Sequence, residues 1–349
     1  MSKNLYHNCC TIIIFTIITL MLSSCEGPTG QPGNDASETC KICHNSSTLI
    51  FSKKSQWYVS KHASGENVDK NDTNCAACHT SEGFREALIS GSYKTHSMIS
   101  NPSPINCRTC HLIHTNNDYS DFNFSCQSPV KLVITGEIVD YGKGNICARC
   151  HQARVVSIMP QPNGDSIMIP TPYWGPHQST AANILAGTGG INIPGTEPYL
   201  NSIHIGTNNP NACIACHMAE SKGIKMGGHT LVMGSCDNDS TNKIKQCQNL
   251  AGCLNCHPGA TNFGLGLEIR SEIKNYLLNL RSILASKNML DTTNSKGDYK
   301  NDLIIPRKYS GKEASVLYNY KFCVAEGSIG VHNTKYTRAL LKNTISAIK

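Results

Sequence analysis

The clearest hydrophobic pattern lies in the last quarter of the chain. In residues 267–284, apolar positions recur every three or four residues with charged positions between them, which predicts an amphipathic helix. Residues 312–324 and 336–348 have the same character. Strict alternation in residues 131–139 predicts a small β-ribbon, and no other stretch favours sheet as clearly. We therefore expect residues 265–349 to form a helical cap over the rest of the fold.

The N-terminus has the pattern of an export signal. Lys3 precedes an apolar run of 12 residues, 11–22, which is shorter than the roughly 20 residues of a transmembrane helix. The segment from Leu22 to Cys25 resembles the lipobox of bacterial lipoproteins, which implies removal of residues 1–24 and a lipid on Cys25. A permanent membrane anchor and ordinary cleavage nearby are the alternatives. Residues 25–39, rich in Gly, Pro, Asn and Ser, predict a flexible tether.

The composition leaves little apolar material for an ordinary core. Only 39% of the 349 residues are hydrophobic and 6% are aromatic, whereas 19 are Cys and 14 are His. These numbers indicate that disulfides, metals or a cofactor supply the missing stability. The formal net charge of +7 is spread without runs of like charge, so it does not indicate a nucleic-acid partner.

One short motif, Cys-x-x-Cys-His, recurs too often to be accidental and is typical of covalent haem attachment. Two cysteines one turn apart add across the two vinyl groups of a porphyrin, and the adjacent histidine is then held under the iron. The sequence therefore predicts six haem c groups. The six motifs are Cys40/Cys43/His44, Cys75/Cys78/His79, Cys107/Cys110/His111, Cys147/Cys150/His151, Cys213/Cys216/His217 and Cys253/Cys256/His257.

Zinc ribbons and thioredoxin-like redox pairs also contain Cys-x-x-Cys. Neither requires a histidine at the next position, and the predicted export places the chain where c-type haem is attached. Each haem is served by few residues, so the haems themselves are expected to form the core. The predicted fold is mainly α-helical and irregular, with little sheet. It has one three-haem module in residues 40–125 and a second in residues 126–264.

Each six-coordinate haem iron needs a second axial ligand. Outside the motifs and the signal peptide, seven histidines are available for six irons. Methionines such as Met98, Met218 and Met233 are interpreted as packing residues. The candidate distal ligands are His62, His96, His114, His177, His204, His229 and His332.

Four further cysteines follow the predicted lipid site. In an oxidising compartment they are expected to pair. Cys236 and Cys247 flank a short polar loop and are the natural partners, which leaves Cys126 to pair with Cys323 by elimination.

The segment around His332 carries a family resemblance. Gly330-Val331-His332-Asn333, followed by Tyr336 and Leu340-Leu341, resembles the C-terminal helix region of ammonia-forming cytochrome c nitrite reductases and related multihaem proteins. The resemblance implies that His332 is a haem ligand. Those reductases carry one haem on Cys-x-x-Cys-Lys, however, whereas all six motifs here end in His. Residues 142–145 and 174–177 resemble multihaem cytochromes of respiratory and extracellular electron transfer.

Two functions follow as expectations. The first is electron transfer through six bis-histidine haems to redox partner proteins or a membrane respiratory complex, with no catalytic residue. The second is a reductase of a small nitrogen or sulfur oxyanion, which needs one iron with an open side. In both, the protein is exported and lipid-anchored to a bacterial membrane, facing the periplasm or the cell exterior.

Overall fold

The computed structural model describes residues 44, 48–234, 248–265, 268–293 and 295–349. The predicted signal peptide, Cys25, the tether and the cysteines of the first motif lie outside the described residues. The described residues of Ser47–Asn116 and Ser120–Lys349 belong to one compact unit, whereas His44 and Asn117–Tyr119 belong to another. Apart from Tyr119, the elements below lie in the first unit.

Helices dominate the described secondary structure. Short 3-10 turns occur at Lys61–Ala63, Tyr119–Phe122, Gly142–Gly144, Gly206–Asn208, Gly228–Thr230 and Tyr299–Asn301. The α-helices are α1 (Thr48–Tyr58), α2 (Ala76–His79), α3 (Ser81–Ser90), α4 (Cys107–Cys110), α5 (Asn145–Ala148), α6 (Ala181–Ala186), α7 (Cys213–His217), α8 (Ala251–Leu254), α9 (Ile269–Ser286), α10 (Gly311–Glu326) and α11 (Thr334–Ile348).

Sheet is limited to two-stranded antiparallel pairs among the described residues. The predicted ribbon forms at the two ends of its segment, where β1 (Val130–Lys131) pairs with β2 (Ile138–Val139). The other strands are β3 (Ile167–Ile169), β4 (Leu290–Asp291), β5 (Leu303–Ile304) and β6 (Arg307–Tyr309), paired β3 with β6 and β4 with β5. The predicted fold class, mainly helical and irregular with little sheet, is confirmed.

The three predicted C-terminal helices are present as α9, α10 and α11, which pack against one another. Helix α10 begins at a capping box in which Ser310 and Glu313 bond each other's backbone, and it ends before Gly327 in the left-handed conformation. Tyr318, Tyr320 and Phe322 on this helix are fully buried. Helix α10 therefore contributes several fully buried side chains to the larger of the two apolar clusters among the described residues.

Residues from the middle of the chain also belong to this apolar core. Ile169, Trp174 and Ile184 pack into the same cluster as the C-terminal helices. Among the described residues, no helix is both long and apolar enough to cross a membrane.

Candidate haem sites

The described motifs fold as single turns. The N–H of the motif histidine donates to the carbonyl of the motif's first cysteine in several of them, as from His111 to Cys107 (2.9 Å) and from His257 to Cys253 (2.8 Å). This i to i−4 bond closes one helical turn, which brings the two thiols and the imidazole of a motif close together. The motif spacing therefore produces the local geometry that covalent attachment needs.

The attachment cysteines differ in exposure. Those of the second, fourth and fifth motifs are half-buried, whereas Cys107 of the third motif and Cys256 of the sixth are exposed. At the sixth motif the reason is that α8 ends at the surface, where residues 254–256 are all exposed. The backbone N–H of Cys256 still donates to the Cys253 carbonyl (3.1 Å), so Cys256 belongs to the motif's turn and its attachment role stays a prediction.

Each described motif histidine after the first lies beside a histidine from outside the motifs. The partners come from distant parts of the sequence, and several pairs cross the predicted boundary between residues 125 and 126. The ring centroids are 5.8 Å apart in His62/His151, 6.2 Å in His79/His177, 6.1 Å in His111/His229, 6.4 Å in His204/His257 and 6.2 Å in His217/His332.

This spacing suits a metal ion between two imidazoles. A metal–nitrogen bond is about 2 Å long and a ring nitrogen lies about 1 Å from the ring centroid, so opposite axial imidazoles have centroids about 6 Å apart. Rings packed only against each other have no reason to repeat this separation five times. The interplanar angles range from 28° for His111/His229 to 84° for His204/His257, so the five pairs share a distance but not an orientation.

Hydrogen bonds hold several of these rings by the nitrogen Nδ1. His111 donates to the carbonyl of Phe122 (2.7 Å) and His217 to that of Leu231 (3.0 Å). His151 Nδ1 bonds the Ser179 hydroxyl. A ring held at Nδ1 presents Nε2 in a fixed direction, which is the usual arrangement for a metal-ligating histidine.

Burial keeps most of these imidazoles neutral. Desolvation lowers the pKa of His151 to about 4 and that of His229 to about 4, with smaller contributions from neighbouring positive groups. Desolvation also lowers the pKa of His62 and of His217. A neutral imidazole keeps the lone pair that metal binding requires.

His332 differs because its Nδ1 donates to a carboxylate. The Oε1 atom of Glu326 lies 2.5 Å from His332 Nδ1, and the Glu326 side chain is fully buried. Burial opposes protonation of His332, but the attraction and hydrogen bond of Glu326 outweigh it and raise the pKa of His332. Sequence reasoning found His332 but not Glu326, which lies six positions earlier and belongs to no motif.

Neighbouring motifs contact one another through their attachment cysteines. Cys78 of the second motif is in side-chain contact with Cys150 of the fourth. Cys147 of the fourth motif is likewise in contact with Cys213 of the fifth. The fourth motif therefore lies between the second and the fifth.

Glycines allow two of these close approaches. A Cβ atom on Gly142, before the fourth motif, would lie 2.1 Å from the carbonyl oxygen of Pro210, before the fifth. A Cβ atom on Gly252, before the sixth motif, would lie 2.4 Å from the carbonyl oxygen of Ala215 inside the fifth. Only glycine fits at either contact, so the sequence permits the fourth, fifth and sixth motifs to pack together.

The surroundings of the second and fourth motifs fit a large acidic cofactor. A cavity of about 210 Å³ is lined by Cys78, Phe84, Tyr93 and Arg149, among others. Buried N–H groups of Arg149 and Arg154 have no acceptor in the protein, while Arg154 Nη2 lies 2.7 Å from Cys78 Sγ. A guanidinium keeps its charge when buried and binds carboxylates well. Haem carries two propionates, so the residues present fit this group.

The two remaining candidate ligands, His96 and His114, are both exposed. His96 is exposed, with 80% of its side chain accessible, and both its backbone N–H and its Nδ1 bond Glu86. His114 is exposed, and its backbone N–H donates to Asp121. His44 of the first motif is exposed, and Cys40 and Cys43 lie outside the described residues.

The expected disulfide between Cys126 and Cys323 is wrong. Both are free thiols. Cys323 is buried in α10, whereas Cys126 is half-buried and lies 3.1 Å from both Ser128 Oγ and Arg149 Nη2. Elimination failed because it ignored which cysteines the fold brings together. Cys236 and Cys247 lie outside the described residues.

Neither a protein-family model nor a curated protein sequence matches the chain. Among solved structures, the chain is similar to the crystal structure of the outer cell wall cytochrome OcwA, with a TM-score of 0.50 and 19% sequence identity. The alignment covers 85% of this chain and 50% of that one, so this chain spans about half the length of OcwA. The likeness shows that the chain shares a fold with a cytochrome.

Proposed function

We propose that this protein is a hexahaem c-type cytochrome that carries electrons through bis-histidine haems and binds no substrate at iron. The observation that carries the proposal is the set of five histidine pairs, each joining a motif histidine to a distant one at 5.8 to 6.4 Å. Haem supplies one-electron exchange when bound, and the chain supplies attachment, axial ligands and burial.

The roles of the residues follow from the site. The motif cysteines attach the cofactor and the motif histidines provide the proximal ligands. His62, His177, His204, His229 and His332 provide the distal ligands at the fourth, second, sixth, third and fifth motifs, respectively. His96 and His114 are the two candidate ligands that these five assignments leave over.

Contact between motifs supports a carrier. The second, fourth, fifth and sixth motifs contact one another in series. The contacts are Cys78 with Cys150, Cys147 with Cys213, and Gly252 with Ala215. Thr109 in the third motif donates to Ser81, three residues after the second motif's Cys78 (2.8 Å). Electron transfer between haems requires that the motifs lie next to one another, whereas a reaction at one isolated haem does not require this.

The reductase alternative needs an iron with one open side. In the five described pairs a second imidazole would fill that side. The alternative would therefore need the first motif, which ends in His44 rather than in the Lys of the nitrite reductases.

Spectroscopy of the intact protein tests the proposal. Electron paramagnetic resonance of the oxidised protein should show low-spin ferric signals alone, and the reduced protein should bind no carbon monoxide rapidly. A stoichiometric high-spin signal, or rapid carbon monoxide binding by one haem in six, would contradict the carrier function. Nitrite and hydroxylamine turnover should then be assayed first.

We further propose that the protein is exported and held to a membrane by lipid on Cys25, where it exchanges electrons with a redox partner protein or a respiratory complex. The export pattern of residues 1–24 and the likeness to an outer cell wall cytochrome support this. Intact mass spectrometry should find the polypeptide from residue 25 with six haems and an acylglyceryl group. Five haems would refute the count, and cleavage at another residue would refute only the anchor.

A further inference from the structure

Glu326 is a buried carboxylate directed at one axial histidine. It is the last residue of α10, and none of its side chain is exposed. Its Oε1 atom accepts the Nδ1–H of His332 at 2.5 Å, and its Oε2 atom accepts the backbone N–H of Ser328 at 3.0 Å. A buried charge is costly without such partners, so the two hydrogen bonds hold the carboxylate in place.

No other histidine of the five described pairs has this kind of partner. His111, His177 and His217 donate to backbone carbonyls, and His151 bonds a hydroxyl. His229 Nδ1 is buried without a protein partner. Among the five pairs, the one formed by His217 and His332 is therefore the pair with a buried carboxylate hydrogen-bonded directly to a ligand ring.

A carboxylate behind an axial imidazole changes the electronic character of the ligand. Accepting the Nδ1–H makes the imidazole a stronger base toward the metal on its other nitrogen. The fixed negative charge also favours the ferric state, which carries one positive charge more than the ferrous state, and low polarity around a buried group strengthens the effect.

We propose that Glu326 lowers the reduction potential of the iron held between His217 and His332, acting as a positioning and tuning residue through His332. This inference rests on the proposed bis-histidine function. Haem attachment is the same at all six motifs and so does not distinguish their reduction potentials. Glu326 sets the reduction potential at the fifth motif independently of attachment.

The test compares Glu326→Gln with the matched substitution Glu272→Gln. The Glu326→Gln side chain would keep the shape and an acceptor oxygen but lose the charge, while Glu272 pairs with Arg338 and contacts none of the paired histidines. Potentiometric titration of the holoprotein, followed by visible and paramagnetic resonance spectra, measures each transition. In the Glu326→Gln variant, the reduction potential of one transition should become more positive by about 59 mV. For one electron this corresponds to about a tenfold change in the equilibrium constant.

The Glu272→Gln variant should leave all transitions close to the wild type. A Glu326→Gln protein that keeps six low-spin haems without a shift, or that shifts all transitions equally, would overturn the inference. If this variant does not accumulate with six haems, Glu326→Asp provides the measurement. Its retracted carboxylate should move the same single transition by a smaller positive amount, and no shift would again overturn the inference.

Failure of the inference is distinguishable from failure of the proposed function. A wild-type protein without six low-spin haems contradicts the function itself. A low-spin hexahaem wild type with an unshifted Glu326→Gln variant contradicts only the role of Glu326.

Discussion

His62 and His151 lie with their ring centroids 5.8 Å apart, although His62 is in a 3-10 turn before the second motif and His151 closes the fourth. Nothing local joins them. The same separation recurs at four other motif histidines, which makes ligand assignment testable one residue at a time.

Replacing His62 with Ala should convert one haem in six from low-spin to high-spin, because the fourth motif loses its second imidazole. Paramagnetic resonance of the oxidised protein and carbon monoxide difference spectra measure this. Lys61→Ala is the matched control and should leave all six haems low-spin, because Lys61 lies next to His62 in the same 3-10 turn and its side chain pairs with the exposed Glu66. A His62→Ala protein with six low-spin haems would refute the pairing, and a new high-spin haem in Lys61→Ala would show that the effect does not come from the His62 ring.

Gly142 should not tolerate a side chain. Its φ is +54°, and a Cβ atom would lie 2.1 Å from the Pro210 carbonyl oxygen. Gly142→Ala should therefore lower stability by about 1–3 kcal/mol through overpacking, in addition to backbone strain. Gly91→Ala is the control, since Gly91 has a similar φ of +67° but no neighbour within 4 Å. Equal thermal unfolding midpoints for the two variants would show that the contact between the fourth and fifth motifs is not tight.

The ion pair between Glu272 and Arg338 should contribute a small, pH-dependent stability. The Arg338 hydrogen bonds lower the pKa of Glu272 below its ordinary value of 4.5. The contribution is therefore present above about pH 4.5 and is lost as the pH falls through the lower folded-state pKa. Because both side chains are partly exposed, it should not exceed about 1 kcal/mol.

Denaturant titrations at several pH values measure this contribution. Glu272→Gln should be less stable than the wild type at pH 7 and equal to it at strongly acid pH. Glu66→Gln is the control, because the exposed pair of Glu66 with Lys61 should contribute nothing measurable. A Glu272→Gln protein with unchanged stability at pH 7 would show that the ion pair between Glu272 of α9 and Arg338 of α11 does not stabilise the fold.

Cys126 should be reactive in the native protein, whereas Cys323 should not. Burial raises the pKa of Cys126, but hydrogen bonds from Ser128 and the charge of Arg149 outweigh it and lower that pKa overall. Native alkylation followed by peptide mapping should label Cys126, and Cys323 should be labelled only after unfolding because it is buried in α10. Recovery of a peptide linking Cys126 to Cys323 would contradict the structure.

The sequence by itself determined the local geometry of the Cys-x-x-Cys-His motifs. Cys-x-x-Cys-His closes one turn in the motifs that the structure describes, because the i to i−4 bond and the two cysteine positions belong to the same five residues. The C-terminal helices were equally predictable, since α9 and α11 place apolar residues on one face. That His332 would be a ligand followed from its resemblance to other multihaem proteins, and this role stays a prediction.

Only the tertiary structure decided which histidines meet. Seven candidates for six irons look alike in the sequence, and nothing in the residues around His229 selects His111 as its partner. The choice depends on chain segments that are distant in sequence, on glycines such as Gly142 and Gly252 that let backbones approach, and on the buried core around α10. The sequence does not predict the role of Glu326 for the same reason. A carboxylate affects His332 only when the fold brings the two together and excludes water from both.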